Sequence, residues 1–167
     1  MNCRDGLART FQVVRPFLGM SVLENVKVGA FARTGSVAEA EAAARKVLER
    51  LGMAQFADRD AATLGVAAMR RLEIARALAT GPRLLLLDEM LAGLTATETA
   101  ELCAELRTLP GEGVTILLIE HSVPVVTSLC THVVVLHYGR LICDGTSAEV
   151  LADQRVRDAY LGSMSDA

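Results

Sequence analysis

Apolar residues in this chain follow two patterns: unbroken runs, and residues spaced for one face of a helix. The sharpest unbroken run is the four leucines at 84–87, which lead straight into Asp88 and Glu89. A second run, 113–120 (GVTILLIE), ends at His121, and a third spans 132–137. Runs without alternation predict strands buried on both faces, as in parallel sheets covered by helices. The segments between them carry helix start signals. Ser21 with Glu24, Ser36 with Glu39, Thr95 with Glu98 and Thr146 with Glu149 all have capping-box spacing. The first three predict helices to about residues 31, 51 and 109, with Gly52 stopping the second.

The stretch 66–80 predicts a helix with Val66, Met69, Leu72, Ala75, Leu78 and Ala79 on one face. Arg70, Glu73 and Arg76 would pair on the other. Residues 7–12 read as a short strand. Ser122 is placed to cap a short helix to 129, a turn at 138–140 leads into a strand over 141–144, and 154–161 predicts one more helix. Strands alternating with helices in the second half predict a parallel α/β sheet, whereas the first half is mostly helical. That contrast suggests a helical insertion in an α/β core.

A chain of 167 residues is long enough for one domain with a substantial core. Net charge is -3, aromatics are 4% and Trp is absent, which excludes a basic, aromatic-rich nucleic-acid surface. Cys3, Cys103, Cys130 and Cys143 have no CxxC spacing, and His121, His132 and His137 complete no zinc pattern with them. They read as free thiols of a reducing compartment. No apolar run nears the roughly 18 residues of a membrane span, and the segment 1–12 has no apolar signal core. The hydrophobic share is nonetheless 51% and mean hydropathy +0.34, partly from alanine. A surface that docks on a partner would also raise both.

Asp88 and Glu89 close a predicted parallel strand, so they lie at the carboxyl edge of the sheet, where open α/β folds bind ligands. An ordinary buried strand closed by an acidic turn would read the same way. Four markers in a fixed order decide between the two: Gln12 in ARTFQ, the helix RRLEIARALAT (70–80), Asp88-Glu89 after LLLL, and His121 after LLIE. With VLENV, AGL and the closing AYLG they resemble the ATP-binding subunit of ABC transporters, in its branched-chain amino acid (Liv-type) branch. The resemblance runs from about residue 6 to 162.

The resemblance implies a partial P-loop NTPase fold of the ABC ATPase type, with a parallel-sheet core and an inserted helical subdomain. Residues 1–12 would form a core strand and Q-loop, 13–80 the helical subdomain and signature helix, and 81–167 the Walker B and H-loop half. ATP and Mg²⁺ are the implied cofactors. Asp88 would hold the ion, Glu89 would polarise the hydrolytic water, and Gln12 would offer a neutral oxygen to both. His121 would donate to the γ-phosphate as charge builds there. Transmembrane permease subunits and a second ATP-binding subunit, identical or not, would be the partners, on the cytoplasmic face of the membrane. The cargo would be a small polar solute such as a branched-chain amino acid.

The sequence departs from the family pattern in three places. No G-x-x-x-x-G-K-[ST] occurs in the 167 residues, so the loop that cradles phosphates is not among them. The family carries that loop upstream of the Q-loop, and its strand lies between those predicted near 114–119 and 133–136. Without it, two sheet edges would be left unpaired and the chain prone to aggregate. The signature position reads Leu64-Gly65-Val66-Ala67-Ala68: Gly65 stands where the family has a serine and Ala67 where it has a glycine. The proline that usually follows Asp-Glu is Met90, and Thr95 takes the polar D-loop position. These departures keep open a second expectation, a non-catalytic module of the same lineage that docks on a permease.

Overall fold

Parallel strands need long crossovers, and the first part of the chain supplies them with helices. The computed structural model describes residues 3–10 and 16–161. The strand β1 (Leu7–Arg9) is followed by α1 (Val22–Ala30), α2 (Val37–Arg50) and α3 (Val66–Ala79). Then come β2 (Leu84–Asp88), α4 (Ala96–Leu106) and β3 (Thr115–Ile119). The remainder is α5 (Val123–Leu129), β4 (Val133–His137), β5 (Arg140–Gly145), α6 (Ser147–Ala152) and α7 (Gln154–Val156). The chain divides into two compact units, residues 1–120 and 121–167.

In the first unit β1, β2 and β3 form a parallel sheet in that order, with Leu7 opposite Leu84 and Asp88 opposite Ile119. One face is the better covered: Ala8, Leu85 and Leu87 are buried, and Ile116 and Leu118 beside them are half-buried. The other is open, with Leu84 and Leu86 half-buried, Leu117 56% exposed and Ile119 57% exposed. The expectation that 84–87 and 113–120 are buried on both faces is thereby corrected. β3 has a strand neighbour on one side only among the described residues, and its outer face is open to solvent.

The helices are packed far more tightly. α1 opens with a complete capping box, Ser21 Oγ accepting from Glu24 N–H while the Glu24 carboxylate accepts from Ser21 N–H at 2.7 Å. The apolar stripe of α1 (Val22, Leu23, Val26, Ala30) is buried. In α2 the buried residues Ala40, Ala44 and Leu48 recur every four positions. Gly29 explains how closely α1 and α3 approach: a Cβ there would stand 2.3 Å from the Arg76 carbonyl oxygen. Asn25, also fully buried, ties down the segment before α1. Its Oδ1 accepts from Phe17 N–H at 2.8 Å, and its Nδ2 donates to the carbonyls of Phe17 and Ser21 at 3.2 and 3.0 Å. Arg33 donates to the Thr80 and Gly81 carbonyls, placing a cation at the negative end of α3.

Several local expectations change. α3 is buried nearly all round, Glu73 included, while Val66 at its start is 61% exposed. A polar outer face is not formed because α3 packs between other elements of the unit. The second capping box is half made: Ser36 Oγ accepts from Glu39 N–H, but the Glu39 carboxylate takes its bond from the Thr34 hydroxyl instead. Ser122 stands at the N-cap of α5 without a side-chain cap bond. The closing helix is α7 followed by a wider π-helical turn at Arg157–Leu161.

The second unit holds no parallel strands among its described residues. β4 and β5 form an antiparallel hairpin joined by Tyr138 and Gly139, with φ 48° and 75°. Two positive φ values in a two-residue loop make a type I′ turn, whose twist suits antiparallel neighbours, so a parallel arrangement is excluded here. Its core is small, formed by Val135, Val150 and Val156 with Val133, Ile142 and Cys143 packed around them. α6 opens with the fourth capping box, complete, between Thr146 and Glu149.

Candidate functional site at the carboxyl edge of the sheet

β2 delivers its last residue, Asp88, to the edge of the sheet half-buried, its side chain 26% exposed. β1 holds it from one side. Arg9 Nη2 donates to Asp88 Oδ2 at 2.9 Å. Thr10, fully buried, bridges the same pair of strands. Its N–H donates to the Leu86 carbonyl at 2.9 Å, and its hydroxyl lies 3.4 Å from both that carbonyl and the Asp88 N–H.

From the other side β3 continues the ladder, the Ile119 carbonyl accepting from Glu89 N–H at 3.0 Å. Glu89 takes φ 48°, a left-handed conformation that costs a residue with a Cβ about 1 kcal/mol or more. The strained corner swings the chain out of the strand immediately after Asp88. Beyond it Met90 is fully buried, and Glu120 Oε1 accepts from Leu91 N–H at 3.1 Å, binding the corner to the end of β3.

The expected site residues are distributed as follows. Asp88 and Glu89 share the β2 edge. Gly65 is the N-cap of α3, exposed and with no side-chain cap, and Ala67 lies half-buried in the first turn of that helix. This start of α3 comes close to the loop after β2, since a Cβ at Gly93 would stand 3.9 Å from Val66 Cγ1. Thr95 is committed to the cap of α4. Its hydroxyl accepts from Glu98 N–H at 3.3 Å, and its own N–H donates to the Glu98 carboxylate at 2.8 Å. Those bonds hold the Glu98 carboxyl below the usual glutamate range, the Thr95 N–H first and its hydroxyl second. His121 is exposed and begins the second unit, two residues after Ile119, the register partner of Asp88. Gln12 lies outside the described residues.

Arg9, Thr10, Asn25 and Glu120 have structural roles that the sequence pattern does not reveal. Arg9, Thr10 and Asn25 were inside the motifs ARTFQ and VLENV, and Asn25 was detectable as a polar residue within an apolar helical stripe. Glu120 had only its place beside His121.

The donor chemistry suits magnesium. A hard cation that keeps much of its water needs one or two protein carboxylates and takes phosphate oxygens for the rest. Asp88 at a sheet edge meets that need, whereas no group of three or more His, Cys, Asp or Glu residues could cage an ion among the described residues.

A parallel sheet whose middle strand ends in Asp88, with Glu89 at the corner after it, is the ligand edge of an open α/β domain. Comparison with known proteins narrows this. A family description for ABC transporters matches residues 2–92, and one for branched-chain amino acid ATP-binding cassette transporters matches residues 140–165. The chain is 41% identical to the high-affinity branched-chain amino acid transport ATP-binding protein BraF of Pseudomonas aeruginosa, over 95% of this chain and 69% of that protein. Identity to LivG of Escherichia coli, which carries the same description, is 40% with the same coverage. Among solved structures, the ADP conformation of MJ1267, an ATP-binding cassette of an ABC transporter, superposes with TM-score 0.81 at 30% identity. That match covers 96% of this chain and 70% of the other. The chain therefore belongs to the ABC transporter family, in its branched-chain amino acid ATP-binding branch.

Proposed function

We propose that this chain serves as an ATP-binding subunit of an importer for branched-chain amino acids, working with transmembrane permease subunits and a second ATP-binding subunit on the cytoplasmic face of the membrane. No helix among the described residues is long and apolar enough to cross a membrane itself. The observation that carries the reading is the placement of Asp88 and Glu89 at the carboxyl edge of β2, in a chain 41% identical to BraF.

Within this reading Asp88 would hold the magnesium ion, which would screen the charge of the triphosphate. Glu89, on its strained corner, would orient water for attack on the γ-phosphorus and accept its proton, as the bond from that phosphorus to the β,γ-bridging oxygen breaks and ADP leaves. Gln12 would contribute a neutral oxygen to the ion and the water, and His121 would donate a hydrogen bond to the γ-phosphate. Gly65 and Ala67 occupy the signature position, where a partner subunit's phosphate would be met. Thr95 occupies the D-loop position, its side chain engaged in the α4 cap. A second reading is favoured by that signature position. Gly65 offers no hydroxyl and Ala67 carries a Cβ where the family has glycine, which supports a module that docks on a permease without turning over ATP.

The 167 residues contain no phosphate-cradling G-x-x-x-x-G-K-[ST], so the chain alone is expected to bind MgATP weakly. Co-purification with permease subunits, followed by calorimetry with and without Glu89→Gln, separates the readings. Nucleotide trapped in the complex by Glu89→Gln supports the catalytic one. Docking with no trapping supports the non-catalytic one, and no docking removes both.

A further inference from the structure

Arg9 is an unexpected neighbour for a metal-binding carboxylate. A guanidinium 2.9 Å from Asp88 Oδ2 places a fixed positive charge where the proposed reading needs a divalent cation. The contact follows from the architecture. Arg9 is the last residue of β1 and pairs in register with Leu86, so its side chain leaves the sheet on the same face as Leu86 and Asp88. Thr10, the next residue, closes over the same strand pair and anchors the backbone on both sides of the contact. The Arg9 side chain is 46% exposed, so it has room to swing into solvent.

We infer that Arg9 is a tethered counter-cation for Asp88, which competes with a divalent ion for the carboxylate and holds it in position until that ion is bound. The inference rests on the assignment of Asp88 to the metal, and adds a residue that sets the affinity and timing of loading. Asp88 exchanges one cationic partner for another, so its carboxylate is never left half-buried without a positive neighbour. Arg9, once released, stands at the same edge of the sheet as a charge available to an anionic phosphate.

Manganese(II), followed by electron paramagnetic resonance in the 167-residue chain without nucleotide, tests this independently of turnover. Removal of one competing charge at this distance is expected to tighten Mn²⁺ binding about two- to fivefold in Arg9→Gln. Arg9→Lys, which keeps the charge without the planar fork, should fall between Arg9→Gln and the unmodified chain. In an Asp88→Asn background the Arg9→Gln effect should vanish. Equal affinities in the unmodified chain and Arg9→Gln, undetectable binding in both, or tightening that survives Asp88→Asn would each overturn the inference. In the unmodified chain labelled with ¹⁵N-arginine, Mg²⁺ should shift the Arg9 Nε–H resonance. A resonance that does not move would also overturn it, and this measurement does not require any variant to fold. ATPase activity plays no part in these readouts. A permease complex in which Glu89→Gln traps no nucleotide would refute the catalytic reading while leaving the Arg9 assignment standing.

Discussion

The helices of the first unit and its three-stranded sheet both carry apolar residues and treat them differently. Along α1 and α2, Val22, Val26, Ala44 and Leu48 are buried to within 1% of their surface. On β3, Leu117 and Ile119 keep more than half of theirs. A helical stripe is a narrow target that one neighbour can cover, and α1, α2 and α3 cover each other's. A strand in a parallel sheet has two faces and needs two layers. Hydrophobicity alone does not provide the second layer.

That contrast can be broken or sharpened by substitution. The largest effect is expected from Leu48→Ala, which deletes three carbons from a filled core and should cost about 3 kcal/mol in urea unfolding. The same truncation at Leu117 should change stability by no more than about 0.5 kcal/mol. Comparable losses at both sites would show that the open face is covered in solution. Next is Gly29→Ala. With a backbone oxygen 2.3 Å from the new Cβ, α1 and α3 must move apart, at a cost of about 2 kcal/mol seen as a lower melting temperature.

A smaller effect comes from the caps. Thr95→Ala removes the hydroxyl that caps α4 and should cost about 1 kcal/mol. Its pH dependence has a definite sign. The Glu98 carboxyl titrates below its ordinary value when folded, so its stabilisation is complete above the ordinary glutamate range. It is lost as pH falls through that range to the lowered folded value. Thr95→Ala keeps the backbone N–H, the larger cause of the shift, so the acid-side drop in melting temperature should shrink without disappearing. An unchanged drop would mean the hydroxyl contributes nothing. The smallest effect on stability is expected from Leu117→Lys, within about 0.5 kcal/mol, together with less light scattering at high protein concentration because an apolar sheet face gains a charge. Unchanged scattering would place the aggregation-prone surface elsewhere.

How much of this was legible beforehand depended on the range of the interactions. Capping boxes at Ser21, Thr95 and Thr146 are local, spanning four residues each, and all three formed. The box at Ser36 was diverted because Thr34, two residues upstream, competes for the same carboxylate. The turn at Tyr138-Gly139 was also readable, but its consequence, an antiparallel hairpin, overrode the parallel pattern suggested by the alternation of elements. At the candidate site Asp88 and Glu89 were visible as the end of a strand. Arg9 and Glu120 were not, because the bonds they make cross from β1 and β3 and join residues 79 and 29 positions apart.

By itself the order of residues determined the lineage, the number and starts of most helices, and the delivery of two carboxylates to a strand end. These depend on spacing within a few residues or on motifs read in order. Only the folded arrangement decided that one face of the sheet stays open, that Glu73 lies inside, and that Asp88 is held by an arginine. Burial and charge pairing depend on which elements meet, and that depends on the whole chain at once.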